Sequence, residues 1–64
     1  MLEPFQLRVY KEKEDLDEKI SKLNEFLSGD GTRNLALEDL RLLSDQFYVM
    51  HEYSKILARR ISRF

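Results

Sequence analysis

Residues 55–64 hold Lys55, Arg59, Arg60 and Arg63 and no acid. On a helix, Lys55, Arg59 and Arg63 follow one another at i,i+4 and share a face. Guanidinium forks match phosphate oxygens bidentately, and a flat aromatic ring beside them stacks a base or another planar group. Tyr53 and Phe64 are rings near enough in sequence to take that part. The chemistry this pattern suits is capture of a phosphate-bearing, nucleotide-like ligand. The same cations also suit the negative end of a helix dipole with no ligand involved. A second basic and aromatic patch, Arg8, Tyr10 and Lys11, lies near the N-terminus. The candidate ligand-binding set is therefore Tyr53, Arg59, Arg60 and Arg63, joined by Tyr10 and Lys11.

Catalytic and metal chemistry find less to work with. His51 and Ser54 are helical neighbours at i,i+3. Ser–His chemistry also needs an orienting acid, an oxyanion hole and a pocket that excludes water. A straight helix offers none of these, so no catalytic residue is assigned and the chain is expected not to be an enzyme. His51 is the one histidine and there is no cysteine. That composition removes multi-histidine and thiolate metal sites within one chain, and no metal or other cofactor is expected. His51 then reads as a surface group, an interfacial hydrogen-bonder or a titratable switch. Glu12, Glu14, Asp15, Asp17 and Glu18 form an acidic run interleaved with Lys11, Lys13, Lys19 and Lys22. The lysines dilute its field, so it reads as a solvated face rather than a mimic of nucleic-acid phosphates. With 11 basic and 12 acidic residues the net charge is -1, which argues against coating nucleic acid.

The elements that carry these side chains follow from composition and period. A 64-residue chain is one small domain and buries only about 60% of the surface its unfolded form exposes. Such scaffolds rely on disulfides, a metal or a partner chain; here composition leaves the partner. Charged residues make up 36%, against the usual quarter, with 2 Gly and 1 Pro. That is the composition of long amphipathic helices. Pro4 suits a first helical turn, where its missing N–H costs nothing. Leu2, Val9, Leu16 and Leu23 recur every seven residues with Ile20 and Leu27 between them, an a/d stripe interrupted by Gln6 and Lys13. Ser28-Gly29-Asp30-Gly31 breaks the pattern, and Gly29 is expected to cap the helix in the left-handed conformation. Thr32 or Asn34 is expected to start the next helix as its N-cap. Leu40, Leu43, Phe47, Met50, Leu57, Ile61 and Phe64 then run in alternating steps of four and three, with Ser54 as a polar, register-setting member. The expectation is an all-α domain over 1–64: a helix over about 4–28, a loop over 29–35 and a helix over about 36–63, folded as an antiparallel two-helix hairpin.

The second helix carries more apolar surface than a hairpin uses. Leu42, Val49, Tyr53 and Ile56 lie at one helical phase about 100° from the first seam, and Tyr48 and Ala58 widen the band. A helix apolar on two faces has two partners, and the first helix covers only one of them. Each large apolar side chain left exposed forgoes roughly 1.5–3 kcal/mol, so the total rivals the stability of a small domain. Self-association into a dimer or higher helical bundle is expected through Leu42, Val49, Tyr53, Ile56 and Phe64, closed homo-oligomers being the common outcome. A host protein is the other candidate for the same face. No apolar run approaches the roughly 18 residues of a membrane span. Glu3 and Pro4 interrupt any signal-peptide core, so a cytoplasmic protein that binds no membrane is expected.

Arg8–Leu27 and Leu42–Phe64 resemble a group of very short bacteriophage proteins related to a crAss-like phage gene product of unknown function. The matching residues are Arg8, Val9, Glu14, Leu16, Asp17, Lys19, Ile20, Lys22 and Leu23, then Gln46, Met50, Tyr53, Ser54, Ile56, Leu57, Arg60, Ile61 and Phe64. The Tyr-Ser-x-Ile-Leu-x-x-Arg-Ile run is the more specific part, and the likeness spans nearly the whole chain outside the loop. It implies phage origin and the host cytoplasm, and no activity of its own. In size and expected assembly the chain is also similar to small helical phage proteins that form oligomeric sponges for the cyclic-nucleotide signals of CBASS and Thoeris defence, a likeness at the level of fold. The leading expectation is a phage counter-defence protein that sequesters a cyclic-nucleotide-type immune signal. The alternative is an inhibitor or adaptor that docks its apolar helix face on a host defence enzyme.

Overall fold

The computed structural model describes residues 1–64, which form two long helices joined by a short helical turn. Helix α1 spans Pro4–Ser28, a 3-10 segment spans Asp30–Asn34, and helix α2 spans Leu37–Ser62. Pro4 sits in the first turn of α1, as its fixed φ favours. The Glu3 backbone N–H donates to Gln6 Oε1 at 2.7 Å, so Gln6 serves the cap as well as the seam. The two helices pack against each other along their length as an antiparallel hairpin.

The turn between them is built differently from the sequence expectation. Gly29 has φ -102° and ψ -169°, an extended backbone, and no residue has a positive φ. The left-handed cap expected at Gly29 is therefore absent. The 3-10 segment reverses the chain instead, through tight i→i+3 bonds that need no left-handed residue. The glycine that matters is Gly31. A Cβ there would stand 2.6 Å from Phe26 Cε1, so the Phe26 ring lies over a bare backbone. Nor do Thr32 and Asn34 cap α2: both lie within the 3-10 segment, and the N-cap is Ala36, with no side-chain hydrogen bond. Glu38 and Asp39 in the first turn supply favourable negative charge there.

Packing follows the two heptad stripes. Val9, Leu16 and Ile20 of α1 and Leu57 of α2 are buried, with Phe47, Met50 and Ile61 packed against them. Only 4 of 64 residues are buried. The molecule is a rod of 48 × 15 × 14 Å with a radius of gyration of 14.8 Å, where a globule of 64 residues would have about 11 Å. Its accessible surface is 5174 Å², against about 4,300 Å² for a compact monomer of 7.7 kDa. Leu42, Val49, Tyr53 and Ile56 remain between 41% and 62% exposed. α1 covers the first seam of α2 and leaves the second face bare. No helix is long and apolar enough to cross a membrane.

Candidate functional site

The open end of the hairpin brings the two basic, aromatic segments together. Phe64 packs edge-on against Phe5 at 5.9 Å between ring centroids and against Tyr10 at 6.1 Å. The start of α1 thus lies beside the end of α2, as the antiparallel topology requires. Phe64 joins the two helices of its own chain rather than standing free. Arg59, Arg60 and Arg63 are exposed on the last turns of α2 and form no salt bridge; the ion pairs of the chain lie elsewhere.

The remaining members of the sequence-derived set are more dispersed. At 3.6 residues per turn, Tyr53 and Arg60 lie within about 20° of one another around α2, two turns apart. Arg59 is about 120° away from Tyr53, so these two face different directions. Lys11 pairs with Asp15 at 3.1 Å, and that hydrogen bond is the main cause of a pKa above the ordinary lysine value. Lys55 pairs with Glu52 at 3.1 Å. The end of the hairpin therefore gathers Tyr10, Phe64, Arg59, Arg60 and Arg63, while Tyr53 belongs to the bare stripe farther along α2.

Two shallow grooves run along one flank of the hairpin, on either side of Asp17. The groove toward the open end, about 490 Å³, is lined by Tyr10, Lys13, Glu14, Asp17, Ala58 and Ile61. The other, about 400 Å³, includes Asp17, Ile20, Asn24, Phe47, His51 and Ser54. By helical phase this flank lies about 150° around α2 from the Leu42/Val49/Tyr53/Ile56 stripe. One side of the hairpin is thus a polar groove and the other an apolar face.

Between the grooves sits a polar clasp. Ser54 Oγ donates to Asp17 Oδ1 at 2.6 Å, and Lys13 Nζ donates to Asp17 Oδ2 at 2.6 Å. The Lys13 hydrogen bond, then that of Ser54, holds the Asp17 carboxyl below its ordinary value, against a smaller opposing effect of burial. His51, edge-on to Phe47 at 4.7 Å, adds a weaker favourable charge effect at Asp17. Sequence reasoning placed Ser54 and Lys13 in their seams but left Asp17 in the solvated acidic run. The available signal was that Asp17 follows Lys13 by four residues, within reach of a lysine already turned toward the partner helix.

The Sequestin family model matches residues 3–63, both helices and the turn included. The chain belongs to the Sequestin family. The Sequestin match contains every candidate ligand-binding residue, from Tyr10 to Arg63. No curated protein and no solved structure matches the chain.

Proposed function

We propose that the protein acts by binding without turnover, as a phage-borne sponge in the host cytoplasm that holds a cyclic-nucleotide-type immune signal away from its receptor. The observation that carries this reading is the end of the hairpin. Three arginines without acidic partners, Arg59, Arg60 and Arg63, stand at the same end of the rod as Tyr10 and Phe64. Cations free of internal pairing are available to phosphate oxygens, and a ring beside them offers a stacking surface. Membership of a family named for sequestration supports binding as the mode of action.

The grooves suit holding a ligand better than transforming one. Both are open and shallow; one is lined by Ser54, His51 and Asp17, yet Ser54 donates its hydroxyl to Asp17 and not to His51, so the three are not arranged as a nucleophile, base and orienting acid. Asp17, the one carboxylate shared by both grooves, already accepts from Lys13 and Ser54. Its charge also disfavours an anion settling directly on it. A phosphate would sit toward the arginines of the last turns rather than in either groove, since no arginine lines them.

Calorimetry against a panel of cyclic di- and trinucleotides tests the reading. At least one member is expected to bind, and Arg59→Ala or Arg63→Ala alone is expected to weaken it about 10–100-fold, the loss of a charged hydrogen bond worth about 1.5–3 kcal/mol. No heat from any member at protein concentrations on the order of tens of micromolar would remove the sponge reading.

A further inference from the structure

The bare stripe of α2 has a charge arrangement that selects its occupant. Leu42, Val49 and Ile56 recur every seven residues, all at least half exposed. Gln46, Tyr53, Arg60 and Arg63 continue the alternation of four and three on the same face. This is a second coiled-coil seam, complete in period, with nothing from its own chain upon it. Charge runs in opposite senses toward its two ends. Glu38 and Asp39 occupy the first turn of α2, and Arg59 and Arg60 the last. Arg41, the basic residue of the first half, points about 90° off the stripe.

Such a helix is complementary to itself only when reversed. Laid parallel, two copies place Arg60 and Arg63 against Arg60 and Arg63, and Glu38 against Glu38. Laid antiparallel about Val49, each acidic first turn meets a basic last turn, and the Leu42 region meets the region of Ile56 in the other copy. The rod exposes about 850 Å² more than a compact chain of its mass, the excess surface of a fold that a second copy would make more compact.

We infer that α2 pairs antiparallel with α2 of a second copy through the Leu42/Val49/Ile56 seam, about a two-fold axis near Val49, with Glu38 and Asp39 facing the Arg60–Arg63 turn of the other copy. Two hairpins joined this way form a four-helix assembly in which the α2 helices are central and the polar grooves stay outward. The pairing engages Arg60 and Arg63, which the ligand reading also invokes, but it requires no ligand, and the crosslink at Val49 touches neither arginine.

Single-cysteine crosslinking tests it, since the chain has no cysteine of its own. Val49→Cys is expected to oxidise to a disulfide-linked dimer. Leu42→Cys is expected to remain unlinked, because the reversed pairing separates its two copies by more than about 20 Å along the helix, beyond the roughly 7 Å reach of a disulfide. Equal crosslinking of both variants would mean a parallel pair, and failure of Val49→Cys to crosslink would mean that no such seam forms; either result overturns the inference. A second pair of variants checks the charges without touching Leu42, Val49 or Ile56. Glu38→Lys with Asp39→Lys in one chain, or Arg60→Glu with Arg63→Glu in another, is expected to weaken self-association about tenfold, and mixing the two chains is expected to restore it. Mixed chains that associate no better than either alone would likewise overturn it.

Discussion

Ser54 donates to Asp17 across 2.6 Å, joining positions 37 apart in the chain. A small hydroxyl in an otherwise apolar seam finds its partner at one register only. A slip of the helices by one turn would carry Asp17 out of reach of Ser54 and break the bond. Polar residues at single core positions are known to fix coiled-coil register in this way.

The first prediction concerns this clasp. Ser54→Ala and Asp17→Ala should each lower stability by at least about 0.5–1 kcal/mol, the net worth of one hydrogen bond in a partly solvated setting. Combined, they should cost less than their sum, because both remove the same bond. Urea melts of the two single variants and the double variant check this; strict additivity would mean that the bond contributes nothing.

Acid should reveal the same carboxyl. The pKa of Asp17 in the fold is lower than its ordinary value of 3.8, chiefly through Lys13 and then Ser54. The unfolded chain therefore takes up this proton first as pH falls. Asp17 contributes its full stabilisation above about pH 3.8, and that contribution is lost as pH drops below that value through the folded-state pKa. Asp17→Asn should be less stable than the natural chain at pH 7, and the gap should close as pH falls below 3.8. Denaturation midpoints across that range provide the check, and a gap that stays constant would contradict it.

Core and stripe should respond to truncation in opposite ways. Leu57 is 1% exposed, and Leu57→Ala should cost about 2–5 kcal/mol, enough to unfold much of a chain this small. Val49 is 62% exposed within the hairpin. Val49→Asp should leave the helical signal of a dilute sample near that of the natural chain while abolishing self-association. Circular dichroism alongside sedimentation velocity separates the two effects. Equal loss of helix in both variants would mean that the hairpin does not fold without its second face covered.

The turn carries its own test. A Cβ on Gly31 would press on the Phe26 ring at 2.6 Å, whereas one on Gly29 would meet the Glu25 carbonyl oxygen at 3.3 Å. Gly31→Ala should destabilise by about 1–3 kcal/mol, the usual range for overpacking. Adding Phe26→Ala should remove the clash, so that the double variant loses little beyond Phe26→Ala alone. Thermal melts of the three variants decide the matter.

Where the chain could be read and where it could not has a physical pattern. Both heptad seams were legible because burial repeats with the helix: Val9, Leu16, Ile20 and Leu57 each sit where period alone puts them. The unburied stripe was legible for the same reason, as an apolar period with no covering element. The turn was not, because glycine permits a left-handed backbone without requiring one. Here a run of i→i+3 bonds performs the reversal, and Gly31 is needed for the close approach of Phe26. Asp17 was hidden among carboxylates, since spacing shows which charges are neighbours and not which one leans across to the other helix. The arginines of the last turns were visible as a basic cluster, but only the folded end adds the rings of Tyr10 and Phe64.

The most direct test is the mass of the natural chain in solution, by multi-angle light scattering at physiological salt and without added ligand. An even multiple of 7.7 kDa, two copies or a closed set of pairs, is the predicted result. A folded single copy at concentrations on the order of hundreds of micromolar, or an odd-numbered ring, would contradict the account.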